Sequence, residues 1–406
     1  MSKNVSSDKI IVYLDYAATT PTDPAVLAEM LPYFDARYGN PSSMYESGRR
    51  AAHAIGNAKA AVAEILGCKP DEIIFTGSGT ESDNLALMGV ARANRESGRH
   101  IIISAIEHKA VLEAARRLVS EGFEVSYAPV LPSGIIDLTA FERLLRDDTI
   151  LVSIMYANNE IGTIQPISGI TAIIKKHRGQ KQFPLFHTDA CQAAGFLSLD
   201  VNALGIDLMA LNGSKIYGPK GAGILYKKNG VGIEPVIVGG DQERGLRAGT
   251  ESIPLIVGCA EALKRADSMR KEESARLTEL RGYFIGEMHR LIPEARLNGD
   301  LYIRLPNNAH FSFPRIEGES ILLMLDQAGI EVSTGSACSA NDLRPSHVLL
   351  ALGEDETLAH GSVRFSLGRH TTREDLDYVL SVLPGIVSRL NSLSSLTATL
   401  PAPITL

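Results

Sequence analysis

The feature that most constrains this chain is an alternation. Short apolar, β-branched runs at 73–75, 101–104, 124–128, 150–155, 184–186 and 208–211 are interleaved with stretches of helical period, from 81 to about 94, over 109–120 and after Asp137. Strands that alternate with helices form a mostly parallel sheet covered on both faces, and such sheets collect ligands at the carboxyl ends of their strands. Thr80, His108, Asn159, Asp189 and Lys215 each fall at or just beyond the end of one of these runs. The topology therefore predicts that they share one crevice.

The flanks read differently. An apolar run at 10–14 leads into an irregular segment, after which Asp23-Pro24 has the form of an N-cap followed by proline at N1, opening a helix to about Phe34. Ala51, Ala54, Ile55, Ala58, Val62 and Ile65 give a second helix one buried face before Gly67 stops it. A glycine-rich segment at 239–250 precedes a long helical pattern from Pro254 towards His289. Beyond it come strands at 310–313 and 363–366 and helices at 318–328, 346–352 and from 373 to about 393. A chain of 406 residues exceeds one small core, so the expected division is a large α/β domain over 15–260 and a smaller α+β domain over 261–406 joined by residues 1–14, with a loosely held tail at 397–406.

Composition then excludes several functions. With 45% hydrophobic and 21% charged residues, a net charge of -7 and no long basic cluster, neither nucleic acid nor an anionic membrane is the expected partner. No apolar run approaches membrane-spanning length, and the polar first residues carry no secretory pattern. Cys68, Cys191, Cys259 and Cys338 are scattered without a CxxC pair, which argues against a disulfide framework or a metal site and for a reducing cytoplasm.

Three stretches carry chemistry. Lys215 follows the apolar run 208–211 and the small residues Asn212-Gly213-Ser214; a lysine held at the end of a buried strand can form a Schiff base with a carbonyl cofactor. Taken alone it reads better as a solvated loop lysine, and it is the residues in its company that favour the Schiff base. Thr76-Gly77-Ser78-Gly79-Thr80 sits between a strand and a helix, where free backbone N–H groups and the helix dipole suit a phosphate. Cys338 lies in a run of small polar residues, 333–342, that reads as a surface loop from which a thiol can visit a cofactor. The other three cysteines read as packed or incidental.

In order along the chain, LDYAATTP, FTGSGTESDN, EHKAV, NNEIG, HTDACQ, SKIYGPKG, ERGLRAGT, STGSACS and RFSLGR span residues 14–369. Together they resemble the cysteine desulfurases of the NifS/IscS group, class V aminotransferases of fold type I that use pyridoxal 5'-phosphate. The resemblance implies the α/β fold type I architecture, with a mostly parallel, seven-stranded-type sheet in the large domain. It implies that Lys215 binds the cofactor, that Asp189 pairs with its ring nitrogen and Gln192 with its ring hydroxyl, and that His108 stacks on the ring and passes protons. Gly79 and Thr80 would hold the phosphate together with Asn212 and Ser214, and Thr250 would reach the phosphate of a second subunit, making a homodimer. Asn159, also placed beside the cofactor, and Arg364 would bind L-cysteine, the arginine fork clamping its carboxylate. Cys338 would take the sulfur as a persulfide for an acceptor protein, such as an iron–sulfur scaffold, or for thio-cofactor or tRNA synthesis. Selenocysteine lyase or another class V aminotransferase is the alternative. Two departures stand out: Ser214 occupies a position where most members have histidine, and beyond Leu393 the tail no longer follows the pattern used near a scaffold partner.

Overall fold

A seven-stranded sheet organises the first part of the computed structural model, which describes residues 11–334 and 344–397. In chain order the strands outside and inside it are β1 (Val12–Tyr13), β2 (Ile73–Thr76), β3 (His100–Ser104), β4 (Glu124–Ala128), β5 (Thr149–Ser153), β6 (Leu185–Asp189), β7 (Leu208–Asn212) and β8 (Gly223–Lys227). The sheet runs β2-β8-β7-β6-β5-β3-β4, with β8 antiparallel to both its neighbours and every other pairing parallel. Strands buried on both faces need continuous apolar runs, and Ile101, Ile102 and Ile103 or Ile150, Leu151 and Val152 supply them. One face packs against a core that includes Phe75, Ile102, Val152 and Phe186, the other against one that includes Ile74, Ile101, Ile103 and Leu151.

Because β2, β3, β5, β6 and β7 all point the same way, their carboxyl ends and the segments that follow them meet along one edge of the sheet. Local signals set the helices that return the chain. Asp23 caps the helix Pro24–Met30 by accepting from Ala25 N at 2.8 Å, and Gly67, at φ 67°, ends the helix Glu46–Leu66. Two departures from the sequence expectation matter most. The helix after β2 begins at Gly79 rather than Glu81, because the Ser78 hydroxyl accepts from Glu81 N at 3.1 Å and caps it there. The helix Ile167–Arg178 was not expected at all, although Ile167, Ile170, Thr171 and Ile174 form its buried stripe at helical spacing.

A second core lies beyond. β9 (Arg296–Leu297), β10 (Asn308–Ser312) and β12 (Ser362–Ser366) make an antiparallel sheet in the order β12-β10-β9, while β1 pairs in parallel with β11 (Ile330–Glu331) through Val12↔Ile330 and Tyr13↔Glu331. The helix Ile253–Leu291 serves both cores: Ile253, Ile256, Cys259 and Leu263 pack with the first, Leu277, Phe284 and Met288 with the second. Among the described residues no helix is long and apolar enough to cross a membrane.

Candidate active site

A cavity of about 850 Å³ opens at the carboxyl edge of the large sheet, and its wall takes residues from both cores. Gly79, Thr80, His108, Asn159, Asp189, Gln192, Asn212, Lys215 and Arg364 all line it. Of the remaining sequence-derived candidates, Ser214 lies behind the wall, where its carbonyl accepts from Thr20 N at 2.9 Å. Thr250 is exposed and away from the cavity wall. Cys338 lies outside the described residues, as do residues 398–406 of the tail.

Each wall residue is held by its element. Asp189 is the last residue of β6, one position inside the strand rather than after it, and its Oδ1 accepts from Cys191 N at 2.9 Å. Lys215 closes a 3-10 turn, Gly213–Lys215, whose cap is Asn212 through its Oδ1 and Ser214 N at 2.8 Å. Its Nζ donates to the Ala18 carbonyl, so the amine crosses the cavity towards the irregular segment after β1. Gln192 Nε2 donates to Ala17 O at 2.9 Å on the same side.

His108 has a structural duty as well. Its Nδ1 accepts from Ala110 N at 3.1 Å and caps the helix Lys109–Ser120, which puts the proton of a neutral imidazole on Nε2. Arg364 projects from β12, where Nη2 donates to Asp15 Oδ1 at 2.7 Å and Nη1 to Asn159 O at 2.8 Å. Thus Arg364 ties the second core to the edge of the first through Asn159.

Sequence reading missed a set of buried carboxyl groups. Asp83 and Glu160 line the cavity and Glu107 lies behind it. Burial pushes Glu107 up to about 8, although Ser104 Oγ at 2.6 Å and Met155 N at 2.8 Å donate to its Oε1. Glu160, which accepts from Ser346 Oγ at 2.5 Å, is raised to about 7 by burial, with Arg364 and His108 opposing the rise. Burial also lowers His187 to about 4. Apart from Ser104, their partners are distant in sequence, Met155 lying 48 positions from Glu107 and Ser346 186 from Glu160, separations that no local pattern reveals; Asp83, for example, meets His187.

The donor set fits pyridoxal 5'-phosphate. An amine for its carbonyl, a buried carboxylate for its ring nitrogen and a helix N-terminus for its phosphate face one space. The last of these depends on glycine, since a Cβ at Gly79 would come within 2.6 Å of Cys191 Sγ and 3.3 Å of Asn212 Cβ. Only a residue without a side chain lets the helix start approach the ends of β6 and β7 so closely. No group of three or more His, Cys, Asp or Glu side chains among the described residues is arranged to hold a metal ion.

Comparison with known proteins gives consistent results. The Aminotransferase class-V family model matches residues 12–379. The chain is 50% identical to the cysteine desulfurase IscS of Dictyoglomus turgidum over 94% of its own length and 96% of that protein's. Its fold is similar to that of a solved NifS-like protein, with a TM-score of 0.88 and 41% identity over 94% of this chain and all of that one. It is similar also to SspA solved in complex with cysteine, at a TM-score of 0.77 and 36% identity, covering 89% of this chain and all of that one.

Proposed function

The chain belongs to the class-V aminotransferase family and is a pyridoxal 5'-phosphate-dependent cysteine desulfurase, and we propose that L-cysteine is desulfurated in the cavity at the sheet edge, with the roles that follow. The observation that carries the assignment of roles is the meeting of Lys215, Asp189, His108 and Arg364 on one wall. Lys215, Asp189, Gln192, Gly79, Thr80 and Asn212 hold the cofactor. When bound, it supplies the electron sink that lets the bonds of an attached amino acid be broken heterolytically.

The protein's own groups do the rest. Arg364 binds the substrate carboxylate, with Asn159 beside it, and the planar fork fixes the substrate's orientation. Lys215 and His108 Nε2 move the α-proton. Cys338 acts as a thiolate on the substrate sulfur: an S–S bond forms as the C–S bond breaks, and the bonding pair stays with carbon, which is then protonated. L-Cysteine and the enzyme thiol thereby become L-alanine and an enzyme persulfide, with atoms and electrons balanced. A sulfur-acceptor protein, of the iron–sulfur scaffold kind, takes the persulfide sulfur. A cytoplasmic location suits this chemistry, since a reducing compartment keeps Cys338 as a thiol.

The test is a joint assay of sulfide and alanine from purified protein, cofactor, L-cysteine and a reductant. Equal yields are expected, and Cys338→Ala should abolish sulfide while leaving the cofactor absorbance intact. Undiminished sulfide from Cys338→Ala would rule out the persulfide route.

A further inference from the structure

Asp83 has no place in the reaction as described, yet it is 1% exposed and lines the cavity beside Asp189. It sits on the helix that opens at Gly79, and the groups facing it come from three other elements. From β6 come Asp189 and His187, two positions apart on one face of the strand; from the turn after β3 comes Glu107. Cys191 and, on the 3-10 turn, Lys215 complete the titratable surroundings of Asp189.

Asp83 Oδ1 has no hydrogen-bond partner and lies 3.6 Å from His187 Nε2, which has none either. The other ring nitrogen of His187 is taken by Ser153 Oγ at 2.8 Å. A fully buried imidazole stays neutral and cannot serve as a counter-ion. A buried carboxylate lacking both a cation and a donor, with a second carboxylate alongside, is far costlier than a carboxylic acid.

We infer that Asp83 is a positioning residue that keeps its proton, facing His187 Nε2, so that Asp189 alone bears negative charge on this side of the cavity. The inference rests on the reading of Asp189 as the partner of the cofactor ring nitrogen. A single charge there defines one electrostatic partner for that nitrogen, whereas two adjacent carboxylates would titrate jointly across the working range. Burial first, and then the charge of Asp189, push the Asp83 carboxyl well above the ordinary range, in the same direction as the geometry.

The sign of the pH effect follows. A carboxyl raised on folding binds its proton more tightly in the folded chain, so its contribution is complete below the unfolded value and is lost as pH rises towards the folded one. Asparagine mimics the neutral acid and titrates nowhere. The stability of Asp83→Asn apoprotein relative to wild type should therefore climb as pH rises above the ordinary carboxyl range, by up to about tenfold in the folding constant per unit.

Denaturant unfolding of both apoproteins over this rise in pH measures the slope, and infrared difference spectra should show a protonated-carboxyl stretch in wild type that is absent from Asp83→Asn. The bound cofactor's absorbance should titrate at the same pH in both proteins. A flat stability difference, no carboxyl band at neutral pH, or a displaced cofactor titration would overturn the inference. Should Asp83→Asn not fold, the carboxyl band of [13C]aspartate-labelled wild type decides by its presence or absence. If neither protein takes up the cofactor, the reading of the cavity fails, while the apoprotein slope still judges Asp83.

Discussion

Arg364 shows how much one side chain carries. Its guanidinium reaches out of β12 and is held flat by Asp15 on Nη2 and by the Asn159 carbonyl on Nη1. Lysine at this position would keep the charge and lose the fork, and charge-assisted hydrogen bonds of this kind are worth about 1.5–3 kcal/mol each. Arg364→Lys should accordingly raise KM for L-cysteine by about 10- to 100-fold with a smaller change in kcat, measured by steady-state alanine formation. A fall in kcat at unchanged KM would instead place Arg364 away from the substrate carboxylate. Asp189 and Lys215 were legible because they stand at or just beyond apolar runs that are themselves legible, whereas Arg364, in the middle of β12, was implied by the family resemblance alone. Asp83, Glu107 and Glu160 were legible in neither way. What makes each unusual is the low-dielectric surroundings assembled by chain segments distant in sequence, and no spacing rule encodes that.

Among the elements, the junction of β2, β8 and the helix starting at Gly79 is closely packed. Gly223, the first residue of β8, pairs with Thr76, and a Cβ there would fall 2.4 Å from both the carbonyl carbon and oxygen of Ser78. Backbone, unlike the end of a flexible side chain, cannot step aside cheaply. Gly223→Ala should cost about 1–3 kcal/mol of stability, and by displacing Ser78 it should also weaken cofactor binding. Thermal unfolding of the apoprotein and a cofactor titration measure the two effects, and an unchanged cofactor affinity would show that the helix start does not hold the phosphate. The sequence reading placed Gly79 in a loop because Gly-Ser-Gly is the composition of a turn; the Ser78 cap, a tertiary detail of where its hydroxyl points, decides otherwise. The overlooked helix Ile167–Arg178 is a different case. Its stripe of Ile167, Ile170, Thr171 and Ile174 was present in the sequence, and the polar turn before it drew the reading away.

At the scale of the whole molecule, the described residues expose an apolar stretch in residues 31–45. Leu31, Phe34, Tyr38, Met44 and Tyr45 are exposed within fifteen consecutive residues, Met44 to 89% and Tyr38 to 71%. Contiguous apolar surface of this kind marks an association site. A shallow second cavity of about 470 Å³ joins Pro41 and Ser42 to Asp241 and Glu251, so this apolar stretch adjoins the glycine-rich segment that carries exposed Val238 and Thr250. A two-fold dimer through this region would cover the apolar side chains and bring Thr250 towards a second subunit. Phe34→Asp combined with Tyr38→Asp should then halve the mass seen by light scattering and lower cofactor affinity, since a carboxylate in a desolvated interface core is unpaired. Thr250→Ala should lower cofactor affinity and leave the mass unchanged. A wild-type chain that is monomeric at assay concentration would defeat both expectations. Loss of cofactor in the double variant without loss of mass would move Thr250's contribution back within one chain.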